Sequence, residues 1–167
     1  AETGARELYC GSAMEPWGRE LEQRVHSTLT KQGVKVRRYR AVTLFDMDAI
    51  RTQAGGVYGV YTPFSRACFA ADGPRMPVAA PARINGIELR SDRLEDWELL
   101  PTRPDWAGGL RATWQPGEDG ALAALRRFLE EAVVAYHDRR DFPGEAATSR
   151  LSPHLHFGEI SPATVWY

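Results

Sequence analysis

The chain has 167 residues, of which 43% are hydrophobic and 26% are charged, and its formal net charge is −1. This composition predicts a soluble globular protein with one domain or parts of two, and it excludes a global basic field that would steer the chain to nucleic acid. No run approaches the about 18 apolar residues of a membrane span. Two cysteines, Cys10 and Cys68, are too few for a disulfide scaffold and indicate reduced thiols in a cytoplasmic protein.

The amino-terminal segment predicts one unit of a parallel α/β sheet. A short apolar run at residues 8–10 predicts a buried strand, and alternation over residues 34–39 predicts a second one. Between them, Pro16 stands at the start of a helix whose apolar residues recur at steps of three and four, and Gly33 ends it. Strand, helix and strand in this order form the repeating unit of a parallel sheet.

Two stretches of this half could bind phosphate, and each also has a purely structural explanation. Residues 19–51 hold eight Lys/Arg against four Asp/Glu, which suits either a phosphate surface or a solvated helix face. Residues 55–64 are rich in glycine and then in aromatics, but they lack the lysine and the spacing of a phosphate loop. We therefore predict a packed turn there, followed by a helix that starts at Thr62-Pro63.

The second half begins with a long irregular stretch and continues with a helix. Proline and glycine punctuate residues 72–120, which predicts an inter-domain connection, and Trp97, Trp106 and Trp114 indicate that it packs against the protein. Residues 121–140 predict a helix capped by Asp119. Its apolar stripe is expected to lie in the core and consists of Leu122, Leu125, Leu129, Val133 and Tyr136.

Hydroxyls, an arginine and two Ser-Pro pairs crowd the last twenty residues. Ser152-Pro153 and Ser161-Pro162 each predict a helix start with serine as N-cap, and Gly158 can end the first helix. Thr148, Ser149 and Arg150 precede that start, so the cluster suits a phosphate or pyrophosphate, with simple capping as the alternative. His154 and His156 face different ways on a helix, and no metal site is predicted.

Residues 148–161, Thr-Ser-Arg-Leu-Ser-Pro-His-Leu-His-Phe-Gly-Glu-Ile-Ser, closely resemble the flavin-binding signature of the DNA photolyase and cryptochrome family. Residues 136–143 resemble its Tyr-x-x-x-Arg-Asp-x-Pro segment, and residues 106–110 with 114–118 resemble its inter-domain stretch. Residues 61–64 resemble its Phe/Tyr-Thr-Pro-Phe block, and residues 15–19 resemble its Glu-Pro-Tyr-x-Arg element. The matches follow the order of the family.

The resemblance implies an α/β fold in the form of a partial Rossmann-like antenna domain at residues 1–72. A linker at 73–120 and the start of an all-helical FAD-binding domain at 121–167 would follow. The implied function is that of a fragment of a deoxyribodipyrimidine photolyase, in which reduced FAD absorbs blue light and passes an electron to a pyrimidine dimer. The alternative is a fragment of a cryptochrome photoreceptor that signals without repair. The fragment alone is expected to be inactive, and the full-length protein to be monomeric.

Carried over by motif, the residues implied to contact FAD are Tyr136, Thr148, Ser149, Arg150, Leu151 and Ser152. Arg140 is implied to lie near the surface for UV-damaged DNA, and catalytic residues are expected beyond Tyr167. The antenna chromophore would be a deazaflavin or methenyltetrahydrofolate. Residues 15–18 look more like deazaflavin-using members, although Ala13 stands where those members have an acidic residue.

Overall fold

The computed structural model describes residues 3–40 and 42–167, which divide into two compact units. Thr3–Ala79 and Ser161–Tyr167 form the first unit, and Ala80–Ile160 forms the second. None of the helices within the described ranges has the length and apolar character needed to cross a bilayer. The domain limits expected from the sequence, near residues 72 and 120, stay a prediction.

A parallel strand pair with a connecting helix forms the start of the first unit. Strand β1 (Glu7–Gly11) is followed by helix α1 (Pro16–Lys31) and strand β2 (Lys35–Tyr39). The strands pair in parallel, with Glu7 opposite Lys35 at one end and Gly11 opposite Tyr39 at the other. A parallel pair needs a crossover connection, which α1 supplies, so the predicted α/β class is confirmed.

Helix α1 ends at the glycine that the sequence predicts. Gly33 has a φ of 79°, a value that favours glycine. Its N–H donates to the Thr30 carbonyl at 3.0 Å, and the Val34 N–H donates to the Leu29 carbonyl at 2.9 Å. These two bonds satisfy carbonyls that the helix end would leave unpaired, and they reverse the chain into β2.

The glycine-rich segment forms a turn and then a helix, as predicted. The Thr52 N–H donates to the Gly56 carbonyl at 2.9 Å, and the Gly56 N–H donates back to the Thr52 hydroxyl at 3.0 Å. Helix α2 (Tyr61–Ala70) has Val60 as its N-cap and therefore begins one residue before the predicted Thr62-Pro63 start. These two bonds, one to a backbone carbonyl and one to a side-chain hydroxyl, close the turn on itself.

The proline-rich part of the second unit contains little regular structure, because repeated prolines remove backbone donors. It holds a 3₁₀ turn at Leu94–Trp97 and the short helix α3 (Gly108–Thr113). Trp97 and Trp106 are 57% and 69% exposed in this chain. The prediction that this stretch packs through its tryptophans is therefore supported only by Trp114, which is half-buried.

The helical run that follows is interrupted. Helix α4 (Glu118–Arg127) passes into a π turn at Phe128–Ala132 and a 3₁₀ turn at Val133–Ala135 before helix α5 (Tyr136–Arg139). A π turn adds one residue to the helical repeat, which rotates the following side chains by about 100° around the axis. A stripe extrapolated with a constant period therefore loses its alignment beyond this turn.

The buried face of this run consists of small residues, and the predicted core stripe is largely exposed. The buried side chains include Ala121, Ala124 and Ala132. The exposed members of the stripe are Leu122, Leu129, Val133 and Tyr136. The prediction of a core stripe is thus wrong for this chain. The predicted Asp119 cap is wrong too, since Gly117 occupies the N-cap position.

The second unit ends with the short helix α6 (Ser152–His156), which Gly158 closes with a φ of 71°. The Glu159 N–H donates to the His154 carbonyl at 2.8 Å, and the Gly158 N–H donates to the Leu155 carbonyl at 3.4 Å. This pair of bonds is the Schellman motif, which confirms the predicted role of Gly158.

Helix α7 (Pro162–Trp166) belongs to the first unit. The Ser161 hydroxyl accepts a hydrogen bond from the Ala163 N–H at 3.2 Å, which confirms Ser161 as the N-cap. The ring of Trp166 meets that of Phe45 edge-on, with centroids 5.9 Å apart. The cap satisfies the first turn of this short helix, and the aromatic contact docks it on the α/β part of the unit.

Candidate functional site

The loop of residues 148–152 turns sharply at Arg150. Arg150 has a φ of 55°, a left-handed conformation that costs a non-glycine residue about 1–2 kcal/mol. The turn brings the Leu151 N–H to the Ser149 hydroxyl, which accepts a hydrogen bond at 3.4 Å. The Leu151 side chain is only 2% exposed, so burial of this one side chain anchors an otherwise polar loop.

Ser152 does not cap α6, contrary to the sequence prediction. Leu151 occupies the N-cap position with φ −84° and ψ −8°, so Ser152 and Pro153 are the first two residues of the helix. The chain enters the helix one residue early because the left-handed turn at Arg150 comes directly before it. The capping alternative therefore explains Ser161 but not Ser152, whose side chain is exposed, as is that of Thr148.

The Arg150 guanidinium lies over the face of Trp114, 4.3 Å from the ring centroid. An arginine in this position is attracted to the ring by about 0.5–1 kcal/mol at exposed sites. The stack uses the flat face of the guanidinium and leaves the N–H groups at its edge able to donate to an anion. The 148–152 loop thus offers hydroxyls and one fixed cation, and its sequence contains no carboxylate.

A buried histidine, paired with a partly exposed glutamate, adjoins Trp114. His154 is 4% exposed, and its Nδ1 and the Glu159 Oε2 are hydrogen-bonded at 2.5 Å. The His154 ring meets the Trp114 ring edge-on, with centroids 6.4 Å apart. Glu159 also accepts a hydrogen bond from the Gly117 N–H. Glu159 therefore ties the end of α6 to the segment that carries Trp114.

Hydrogen bonds lower the pKa of Glu159. The bond with His154 has the largest effect, and the bond from the Gly117 N–H adds to it. Both favour the charged carboxylate, while desolvation acts in the opposite direction. Because the pKa of Glu159 is lower in the folded chain than in the unfolded chain, ionised Glu159 stabilises the fold.

This shift predicts a pH dependence of stability. The contribution of Glu159 is complete above its unfolded-state pKa of about 4.3 and is lost as the pH falls through the lower folded-state value. We expect Glu159→Gln to destabilise the chain at pH 7, and the difference from the wild type to shrink below about pH 4. Urea unfolding at several pH values measures this, with the exposed Glu130→Gln as control. A difference in stability that is the same at pH 7 and below about pH 4 would contradict the assignment.

Tyr136, the first residue of α5, contacts Arg140, which directly follows that helix. The Arg140 guanidinium carbon lies 5.7 Å from the centroid of the Tyr136 ring, and Arg140 Nε lies 3.9 Å from Asp141 Oδ1. The Tyr136 ring also packs edge-on against Phe128 at 5.6 Å. Within the described residues, no hydrogen bond joins Tyr136 to the 148–152 loop. Residues 148–152 thus lie together in one loop, and Tyr136 contacts Arg140.

Comparison with known proteins agrees with the family that the sequence motifs resemble. Residues 1–82 match the family model described as DNA photolyase. The deoxyribodipyrimidine photo-lyase of Agrobacterium fabrum is 40% identical over 169 aligned residues, which cover 100% of this chain and 35% of that protein. Along its whole length the chain is similar to members of the DNA photolyase and cryptochrome family. The family resemblance of the sequence motifs is thereby confirmed.

A photolyase of known structure and a cryptochrome are also similar to the chain. The crystal structure of a bacterial class III photolyase from Agrobacterium tumefaciens matches it with a TM-score of 0.93 and 41% identity, covering 99% of this chain and 35% of that one. Cryptochrome-1 of Arabidopsis thaliana is 26% identical over 99% of this chain and 24% of its own length. The chain spans about a third of the length of the first two photo-lyases that it matches.

Three residues of this candidate site were not predicted from the sequence. Trp114 was assigned only to the inter-domain stretch, and His154 and Glu159 were not paired. The pair could have been found: Gly158 predicts a Schellman motif, which brings the residues at these two positions into contact. The contact of Arg150 with Trp114 could not have been found in this way, because the two residues are distant in sequence. No group of three metal-ligating side chains occurs in the described ranges.

The first unit has cavities where its strands end. Arg38 and Tyr39 close β2, and Ser12, which directly follows β1, donates its N–H to the Tyr39 carbonyl at 2.8 Å. A cavity of about 450 Å³ there is lined by Arg38, Arg40 and Ser161 among others. The basic excess predicted for this region is partly paired, since Arg38 lies 3.7 Å from Glu22.

Proposed function

We propose that the chain is a segment of a light-driven deoxyribodipyrimidine photolyase, which repairs UV-induced cyclobutane pyrimidine dimers with reduced FAD. The observation that carries the proposal is the 148–152 loop, with its hydroxyls and its fixed arginine, in a chain 40% identical to a deoxyribodipyrimidine photo-lyase along its whole length. The complete protein, of which this chain would be a segment, would perform the reaction.

The donor set of the loop fits the pyrophosphate of FAD. The hydroxyls of Thr148, Ser149 and Ser152 can each donate to a phosphate oxygen, and Arg150 adds a cation with free N–H groups. Leu151 would contribute only its backbone, because its side chain is buried. We assign these five residues to the flavin phosphates, and Tyr136 to a hydroxyl contact with the same cofactor.

Reduced FAD, when bound and excited by light, would supply the electron that splits the dimer. The residues of this segment would bind and orient the cofactor. Arg140 is proposed to lie near damaged DNA, where Asp141 at 3.9 Å moderates its charge. Residues 121–167 contain five Lys/Arg and six Asp/Glu, so this segment would not attract DNA strongly by its charge. Its role would be to orient the cofactor. A dimer can leave the stack at low cost, since damaged bases stack poorly.

An antenna chromophore, either a deazaflavin or methenyltetrahydrofolate, is proposed for the α/β part. What supports a site there is the cavity at the carboxyl ends of the strands, where ligands of open α/β sheets commonly bind. We propose residues 1–72 as the later part of the antenna domain and 73–120 as the linker. Residues 121–167 would then begin the helical FAD-binding domain.

The proposal predicts light-dependent repair by the complete protein. UV-irradiated DNA should lose its pyrimidine dimers on incubation with the protein under blue light, and keep them in the dark. The measurement is a count of pyrimidine dimers before and after illumination. The control is the same UV-irradiated DNA illuminated without the protein. Flavin that stays bound while the dimer count does not fall in light would contradict repair.

A cryptochrome photoreceptor is the second candidate. It is favoured by the similarity to cryptochrome-1, which extends over 99% of this chain. The dimer count distinguishes the two, because a cryptochrome would bind FAD and respond to light without repairing DNA.

A further inference from the structure

The Arg150 side chain is positioned by a residue from another segment. Arg150 adopts a left-handed backbone conformation, which directs its side chain differently from a helical or extended residue. Its guanidinium is found 4.3 Å from the centroid of the Trp114 ring. An arginine side chain loses rotamer entropy when it is fixed, so contact with the aromatic face reduces the cost of fixing it on cofactor binding.

Trp114 is itself held by contacts around it. The buried His154, which is paired with Glu159, lies against the edge of the Trp114 ring. Glu159 in turn reaches the backbone of Gly117, three residues after Trp114. Gly120 also approaches Gln115 so closely that no Cβ could stand between them. The backbone on the carboxyl side of Trp114 is therefore fixed, and the ring is a rigid support for a cation.

We propose that Trp114 is a positioning residue for the flavin pyrophosphate, acting through Arg150. The ring holds the guanidinium by its face beside the 148–152 loop, so that the N–H groups at its edge are directed to phosphate oxygens before the cofactor arrives. The inference rests on the proposed function, because it assigns a supporting residue to that same site. It differs from a general packing role, in which Trp114 would only stabilise the second unit.

The test is a double-mutant cycle on FAD dissociation from the complete protein. Trp114→Leu keeps an apolar side chain but removes the aromatic face, and Trp114→Phe restores a face. We expect Trp114→Leu and Arg150→Ala each to raise the dissociation constant roughly threefold to tenfold. The double variant should bind no more weakly than Arg150→Ala alone, because Trp114 has no further partner to position. Trp114→Phe should retain most of the affinity, and the exposed Trp106→Leu should match the wild type.

Losses that multiply in the double variant, or a Trp114→Phe variant as weak as Trp114→Leu, would overturn the inference while leaving the flavin site in place. Unchanged affinity in Trp114→Leu would do the same. A wild-type complete protein that retains no FAD through gel filtration would instead overturn the proposed function, and this inference with it.

Discussion

Replacing Gly120 by alanine should destabilise the chain by about 3 kcal/mol or more. Gly120 is buried in the first turn of α4, and a Cβ there would stand 1.9 Å from the Gln115 carbonyl oxygen. The obstacle is backbone, so no side-chain rotation can relieve the clash. The segment between Trp114 and α4 would have to move. The midpoint of urea unfolding measures the effect.

Gly109→Ala is the matched control for this substitution. Gly109 is also helical, in α3, but nothing lies within 4 Å of the Cβ that alanine would add. Alanine there should be neutral or stabilise the chain by about 0.5–1 kcal/mol, since it reduces the entropy of the unfolded chain. Equal midpoints for the two variants would contradict the close approach at Gly120.

Replacing Leu151 by alanine should destabilise the chain by about 2–5 kcal/mol, the range for removing a buried leucine side chain. Leu151 is 2% exposed and is the apolar anchor of the 148–152 loop. Its loss should also loosen the left-handed turn at Arg150. Urea unfolding gives the stability change, with Leu99→Ala as control.

Leu99 is 67% exposed, so its truncation should change stability by less than about 0.5 kcal/mol. A Leu151→Ala variant as stable as Leu99→Ala would show that the loop is not anchored by burial, and the geometry of Arg150 would need another cause.

Local patterns predicted the positions of the elements of the first unit well, but the prediction that the first strand is buried is wrong, since Tyr9 in β1 is 59% exposed. The alternation in β2, Pro16 at the start of α1 and Gly33 at its end each depend on neighbouring residues alone, and the structure confirms all three. The same holds for the Ser161 cap and for the turn at Gly158. Such features are set by backbone conformation and by short-range hydrogen bonds, which the sequence displays directly.

Features that depend on distant contacts or on irregular backbone were missed. The stripe predicted from Leu122 to Tyr136 assumed an unbroken helix, and the π turn at Phe128–Ala132 breaks its period. Ser152 failed as a cap because Arg150 turns the chain early, and a left-handed arginine is rare enough that no pattern suggests it. The contact of Trp114 with Arg150 joins two segments whose proximity only the fold creates.

The central claim is that the 148–152 loop binds the flavin phosphates, and flavin retention by the complete protein tests it most directly. Ser149→Ala with Ser152→Ala should weaken FAD binding roughly tenfold or more, because two donors to a charged group are lost. The control is Ser27→Ala with Ser91→Ala, two serines whose hydroxyls donate only to nearby backbone carbonyls. FAD per protein after gel filtration should fall in the first variant and not in the control. Equal FAD content in the two variants would contradict the assignment of the loop.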